Sequence, residues 1–127
     1  MRDYSFKCEK TCPVAGAARI LSGKWNAVLI YKLFQHDVCR FSDFSTSFEN
    51  LSPRMLALKL AELETANIIS KKVYPVIPPK TEYRLTAFGE TLKPVIDAME
   101  AWGKYNNHVQ DKNRLESASL LPHDDES

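Results

Sequence analysis

The sequence predicts a mainly helical domain carrying one small β-hairpin, an α+β arrangement, and three observations predict it. Apolar residues recur at three-to-four spacing in five segments between residues 12 and 108. A β-branched stretch without that period lies at 68–85, interrupted by Pro75, Pro78 and Pro79. Capping residues or prolines (Pro13, Ser52-Pro53, Thr86) stand where three of the helices should start.

The first helix is expected over 12–21, with Ala17, Ala18, Ile20 and Leu21 supplying apolar faces and Ser22-Gly23 ending it. The second covers 24–35, with Trp25, Val28, Leu29, Lys32 and Leu33 on one stripe. The third, Arg40 to Phe48, aligns Phe41, Phe44 and Phe48. After the turn Glu49-Asn50-Leu51, the Ser52 hydroxyl and Pro53 open a fourth helix running to about Thr65. Leu56, Leu60 and Leu63 face inward, and Ala66-Asn67 closes it because Asn tolerates a left-handed cap. Strands are expected at 68–74 and 81–85, joined by a loop that its prolines stiffen. Thr86 then caps one long helix to about His108, with Phe88, Leu92, Val95, Ile96, Met99 and Trp102 on one stripe. Residues 1–108 thus form the domain, and the polar, charged stretch 109–127 is expected to be disordered. Short helix, turn, helix and a hairpin with a proline-rich tip follow the winged helix-turn-helix plan.

The 127 residues are 44% hydrophobic and 26% charged, enough to bury one core without disulfides or metals. No run of apolar residues is long enough to span a membrane, and Met1-Arg2-Asp3-Tyr4-Ser5-Phe6-Lys7 has no apolar signal core, so a cytoplasmic protein is expected. The net charge of +1 conceals an asymmetry. Residues 109–127 hold Lys112 and Arg114 against five acids, whereas the first 108 residues carry a surplus of four cations. A basic body with an acidic tail is compatible with a nucleic-acid partner.

With Leu56, Leu60 and Leu63 inward, Arg54, Leu58 and Ala61 of the fourth helix point outward, flanked by Ala57 and Lys59. Ser52 and Arg54 lie at its leading end, where helix amides attract phosphate and a major groove is entered. Lys71, Lys72 and Lys80 line the hairpin, suited to the DNA backbone or minor groove. Between Leu51 and Leu85 six cations face three acids, a bias that ordinary solvated surface charge would also give.

Three cysteines are an odd number for a disulfide framework. Cys12 directly precedes Pro13 at a helix start, with Lys10 nearby, a setting that favours the thiolate and redox reactivity. The alternative is a small buried hydrophobe. Cys8 is a second candidate thiol, and Cys39 reads as structural. A metal site pairing Cys8 and Cys12 with His36 or Cys39 lacks a clear second ligand pair, so neither metal nor cofactor is expected. No nucleophile–base pair, paired catalytic carboxylates or phosphate-cradling glycine loop appears, and His36, His108 and His123 read as solvated, which argues against an enzyme.

Several ordered elements together resemble the HxlR-type family of bacterial winged-helix regulators, related to the MarR group. They are Cys12-Pro13-Val14, Gly23-Lys24-Trp25, Arg40-Phe41, Leu51-Ser52, Arg54-Met55-Leu56, Leu60, Glu62-Leu63-Glu64, Val73-Tyr74-Pro75, Pro78-Pro79, Glu82-Tyr83, Leu85-Thr86, Gly89 and Trp102-Gly103. The resemblance covers about residues 12 to 105. It implies a homodimer on a palindromic double-stranded DNA operator, dimerising through its terminal helices: here the first helix and the long helix with Leu92, Val95, Ile96, Met99 and Trp102. It implies DNA contacts at Arg40, Ser52, Arg54, Lys71, Lys72 and Lys80, with Lys24 near a phosphate. It also implies that Cys12 senses an oxidant or small electrophile as inducer. Where the family usually carries a polar pair, commonly threonine then glutamine, this chain has Ala57-Leu58, which can touch thymine methyl groups but cannot hydrogen-bond to base edges. The expected function is a homodimeric transcriptional repressor responsive to oxidants, electrophiles or a small ligand. The alternative is a winged-helix protein-interaction module without operator reading.

Overall fold

The computed structural model describes residues 12–120, with side chains as far as Ala118. In order the elements are α1 (Pro13–Ile20), α2 (Trp25–Gln35), β1 (Cys39–Arg40), α3 (Phe41–Ser47), α4 (Pro53–Thr65), β2 (Ile69–Tyr74), β3 (Lys80–Leu85), α5 (Ala87–Glu90) and α6 (Lys93–Leu120). The strands form one antiparallel sheet in the order β1-β3-β2.

The start signals act through local hydrogen bonds. Ser52 Oγ accepts the Met55 amide at 3.1 Å, and Thr86 Oγ1 accepts that of Gly89 at 2.8 Å. Each satisfies one of the amides a helix leaves bare at its first turn. Asn67 adopts φ 63° just past the end of α4, the left-handed geometry its short polar side chain tolerates.

The core of the unit ending at Lys93 joins α2, α3 and α4 to the inner face of the sheet. Leu29, Ile30, Leu33, Phe44, Leu56, Leu60, Leu63, Ile68, Ile69 and Cys39 are almost wholly buried, and Tyr83 stacks edge-on against Phe44 at 6.1 Å. The α4 stripe is as its periodicity predicts. The buried face of α2 keeps Leu29 and Leu33 of the expected stripe but completes it with Asn26 and Ile30 rather than Trp25, Val28 and Lys32. Trp25 sits at the rim, half-buried and edge-on to Phe48 at 5.5 Å, because only one of the two adjacent apolar stripes can face inward.

Three expectations need correction. The sheet has a third strand, β1, whose Cys39 and Arg40 pair with Tyr83 and Glu82; two residues are too few to show a period. The single helix after Thr86 is two helices. Pro94 has no amide to donate to the carbonyl of Glu90, so the chain turns through Thr91-Leu92 and restarts. Finally, the polar segment after His108 is helical as far as Leu120, because no Gly or Pro interrupts it before Pro122 and pairs such as Asp111–Arg114 (3.0 Å) line its surface. Two compact units result, one ending at Lys93 and one beginning at Pro94.

Candidate nucleic-acid interface

The helix pair α3–α4 is set by its connection. Asp43 accepts the Arg40 amide at 2.8 Å, fixing the start of α3. Buried Leu51, whose amide donates to the Phe48 carbonyl at 3.0 Å, anchors the turn. With Leu56, Leu60 and Leu63 in the core, Arg54, Met55, Ala57, Leu58 and Ala61 are exposed, Leu58 by 52% and Met55 by 41%. Arg54 makes no ion pair among the described residues and stands at the second position of α4, where its own amide is left bare by the helix, Pro53 having none and that of Met55 being capped by Ser52. Ser52 is committed to capping through its oxygen and keeps its hydroxyl hydrogen available. Lys59 is turned aside: it pairs with Glu62 at 3.5 Å, its side chain is only 22% exposed, and its ammonium lies beside Gly23 in the α1–α2 turn.

The hairpin separates its lysines by face. Successive strand residues point to opposite sides, and the register pairs Lys72 with Glu82, Tyr74 with Lys80, and Lys71 with buried Tyr83. Lys71 and Lys72 therefore leave opposite faces of the hairpin. Lys71, towards the helical side, is exposed and makes no ion pair among the described residues. On the outer side, Lys72 and Lys80 lie over the Tyr74 ring at 4.8 and 4.7 Å. Tyr74 donates its hydroxyl to Glu82 Oε1 at 2.9 Å, and Arg84 and Lys80 reach the same carboxylate at 3.1 and 3.5 Å. Arg40 lies opposite Glu82 on β1. The Tyr74 hydrogen bond first, and Lys80 and Arg84 with it, hold the Glu82 carboxyl below its usual value near 4.5, against the opposing pull of desolvation. Lys24 is exposed, its ammonium 4.7 Å from the Trp25 ring. Sequence reasoning passed over Glu82, Tyr74 and Arg84. Period-two alternation puts Lys80, Glu82 and Arg84 on one side, but the cross-strand register that brings Tyr74 to them is not written in either strand alone.

Cys12 caps the N-terminus of α1 with extended backbone and is half-exposed. Cys39 is buried, and burial pushes its thiol pKa up. Cys8 lies outside the described residues. Among the described residues no group of His, Cys, Asp and Glu converges as a metal site, and no helix is long and apolar enough to cross a membrane. Helix α1 buries none of its residues, and Val14 is 75% exposed. On α6, Val95, Met99 and Trp102 join Pro94 and Ala98 in an open apolar patch, with Trp102 64% exposed. Ile96 is buried and does not share that patch, and Leu92 falls in the preceding turn, half-covered.

Residues 20–111 match the model of the HxlR-like helix-turn-helix family. The chain is 42% identical over 117 residues to the HTH-type transcriptional regulator YdeP of Bacillus subtilis, covering 91% of this chain and 88% of that one. It is 39% identical over 103 residues to YybR of the same organism, covering 81% and 82%. Among solved structures it is similar to the redox regulator HypR in its reduced form (TM-score 0.74, 38% identity, 79% of this chain and 98% of that one). It is also similar to the reduced transcriptional regulator YodB of B. subtilis (TM-score 0.62, 35% identity, covering 72% and 89%). These relatives are transcriptional regulators rather than enzymes. A helix-turn-helix followed by a cationic hairpin, matched over most of its length, makes this chain a member of the HxlR-like helix-turn-helix family of transcriptional regulators.

Proposed function

We propose that the chain acts in the cytoplasm as a homodimeric, sequence-specific repressor whose hold on a palindromic operator is released when Cys12 is oxidised or alkylated. The observation that carries this reading is the leading end of α4. The bare Arg54 amide, the Ser52 hydroxyl and an exposed Arg54 side chain with no ion pair among the described residues stand together there, and the wing offers an exposed Lys71 likewise without one. Arg54 is suited to a guanine edge or phosphate; Lys71, Lys72 and Lys80 are suited to the backbone; Arg40 and Lys24 are further phosphate candidates. The open apolar patches of α1 and α6 are the surfaces a second copy would cover. Cys12 has the exposure and helix-start setting of a reactive thiol, and HypR, among the similar structures, is named a redox regulator.

The test is a gel shift on the DNA upstream of the gene, with and without diamide or a quinone, for the wild type and Cys12→Ser. Release of the wild type alone supports the reading; equal release of both proteins removes Cys12 from the mechanism. One feature favours a second reading, a protein-interaction module: Met55, Ala57 and Leu58 make much of the outward face of α4 apolar. In that case Arg54→Ala and Lys71→Ala would leave promoter occupancy unchanged.

A further inference from the structure

We infer that Glu82, tied to Tyr74, is a positioning residue for DNA binding: it holds the outer-face cations of the wing in the array that meets the phosphate backbone. An acid in the middle of a DNA-facing hairpin is unexpected on charge alone, since each carboxylate there opposes the attraction that supplies most backbone affinity. The geometry gives it a use. One carboxylate accepts from the Tyr74 hydroxyl at 2.9 Å and from Arg84 at 3.1 Å through Oε1, and draws Lys80 to 3.5 Å through Oε2. The same Tyr74 ring carries Lys72 and Lys80 at 4.8 and 4.7 Å. The register makes this possible, placing Lys72 across from Glu82 and Lys80 across from Tyr74.

Lysine and arginine otherwise lose much rotamer freedom when they engage a phosphate, and cations already held in place lose less. Arg84 balances the Glu82 charge, so the clasp takes little from the positive field of the wing. The ammonium groups of Lys72 and Lys80 rest against the Tyr74 ring, that of Lys80 also against Glu82, and keep hydrogens free for phosphate. Lys71, on the other side of the hairpin, lies outside this device.

The inference rests on the regulator reading only in that the wing meets DNA backbone. The probe is therefore a short random-sequence duplex at low salt, where operator preference plays no part. Two views of Glu82 predict opposite signs. If it were only a repelling charge, Glu82→Gln would tighten binding. As a positioning residue, Glu82→Gln weakens it by about threefold or more and lowers the dependence of log K on log salt by about one. Tyr74→Phe, which keeps the ring and removes only the hydroxyl, weakens binding in the same direction. The double variant is no weaker than the worse single one, because both break the same tie. Binding is compared at a temperature where circular dichroism shows all proteins folded. Tighter or unchanged binding by Glu82→Gln, or additive losses in the double variant, overturns the inference while leaving operator recognition standing. Failure of the wild type to prefer its promoter sinks the repressor reading alone, and failure to bind any duplex sinks both.

Discussion

Gly89 stands where the chain leaves the sheet, and its lack of a side chain is what lets α5 sit there. A Cβ at this position would overlap the Ile68 carbonyl oxygen and press on Leu85 at 3.2 Å. Two backbone segments meet here: Thr86 donates its amide to Ile68 O at 3.0 Å and its hydroxyl to Asn67 O at 2.6 Å, while its oxygen caps Gly89. Gly89→Ala should therefore destabilise the fold by about 1–3 kcal/mol, seen as a lower urea midpoint, because backbone cannot give way as a flexible side chain can. Ser52→Ala should cost about 1 kcal/mol through the lost cap and weaken DNA binding beyond that. Glu82 supplies a pH dependence whose sign follows from its depressed folded value. Its contribution to stability is fully present above the unfolded value near 4.5 and disappears as pH falls through the folded one. Acid titration of wild type and Glu82→Gln by circular dichroism should show the difference between them vanishing in that range. A difference that grows on acidification would contradict the Tyr74–Glu82 tie.

At the scale of the element, α4 shows how much a sequence carries. Its start, stop and inward stripe are all local: Ser52-Pro53 at one end, Asn67 at the other, and leucines at helical spacing between. Leu60→Ala, which empties a nearly sealed position, should cost about 2–5 kcal/mol in equilibrium unfolding. The wing was legible as a hairpin with lysines, since β-branched content and prolines are also local signals. Its working arrangement was not. Which lysines share a face with Tyr74 depends on register, and β1 joins the sheet through only two residues. Lys59 counted as a flank of the reading helix by angle alone, yet its long stem folds back to Glu62. The long terminal stripe was read as one helix because its apolar period hides the Pro94 interruption. The helix continues past His108 because the segment lacks breakers, even though its polarity suggested disorder.

For the molecule as a whole, α6 is the element whose exposure most needs a partner. Twenty-eight residues make a rod of about 42 Å, with Val95, Met99, Trp102 and Tyr105 left between 39% and 64% exposed. A patch of that kind, in a chain whose α1 also buries nothing, fits a self-complementary contact between two copies. If the proposed homodimer forms through this patch, Trp102→Glu should shift the protein from dimer to monomer in sedimentation velocity and weaken promoter binding, because each half-site would then be held alone. A variant that remains dimeric with Trp102 charged would place the interface elsewhere. Whether the end of α4 and the wing read an operator is decided by fluorescence titration of promoter DNA against random DNA across a range of salt. Promoter binding should be at least about a thousandfold tighter than random at physiological salt. Arg54→Ala should reduce that preference, and Lys71→Ala should lower the salt slope by about one. Equal affinity for the two DNAs, unchanged by either substitution, would contradict operator reading.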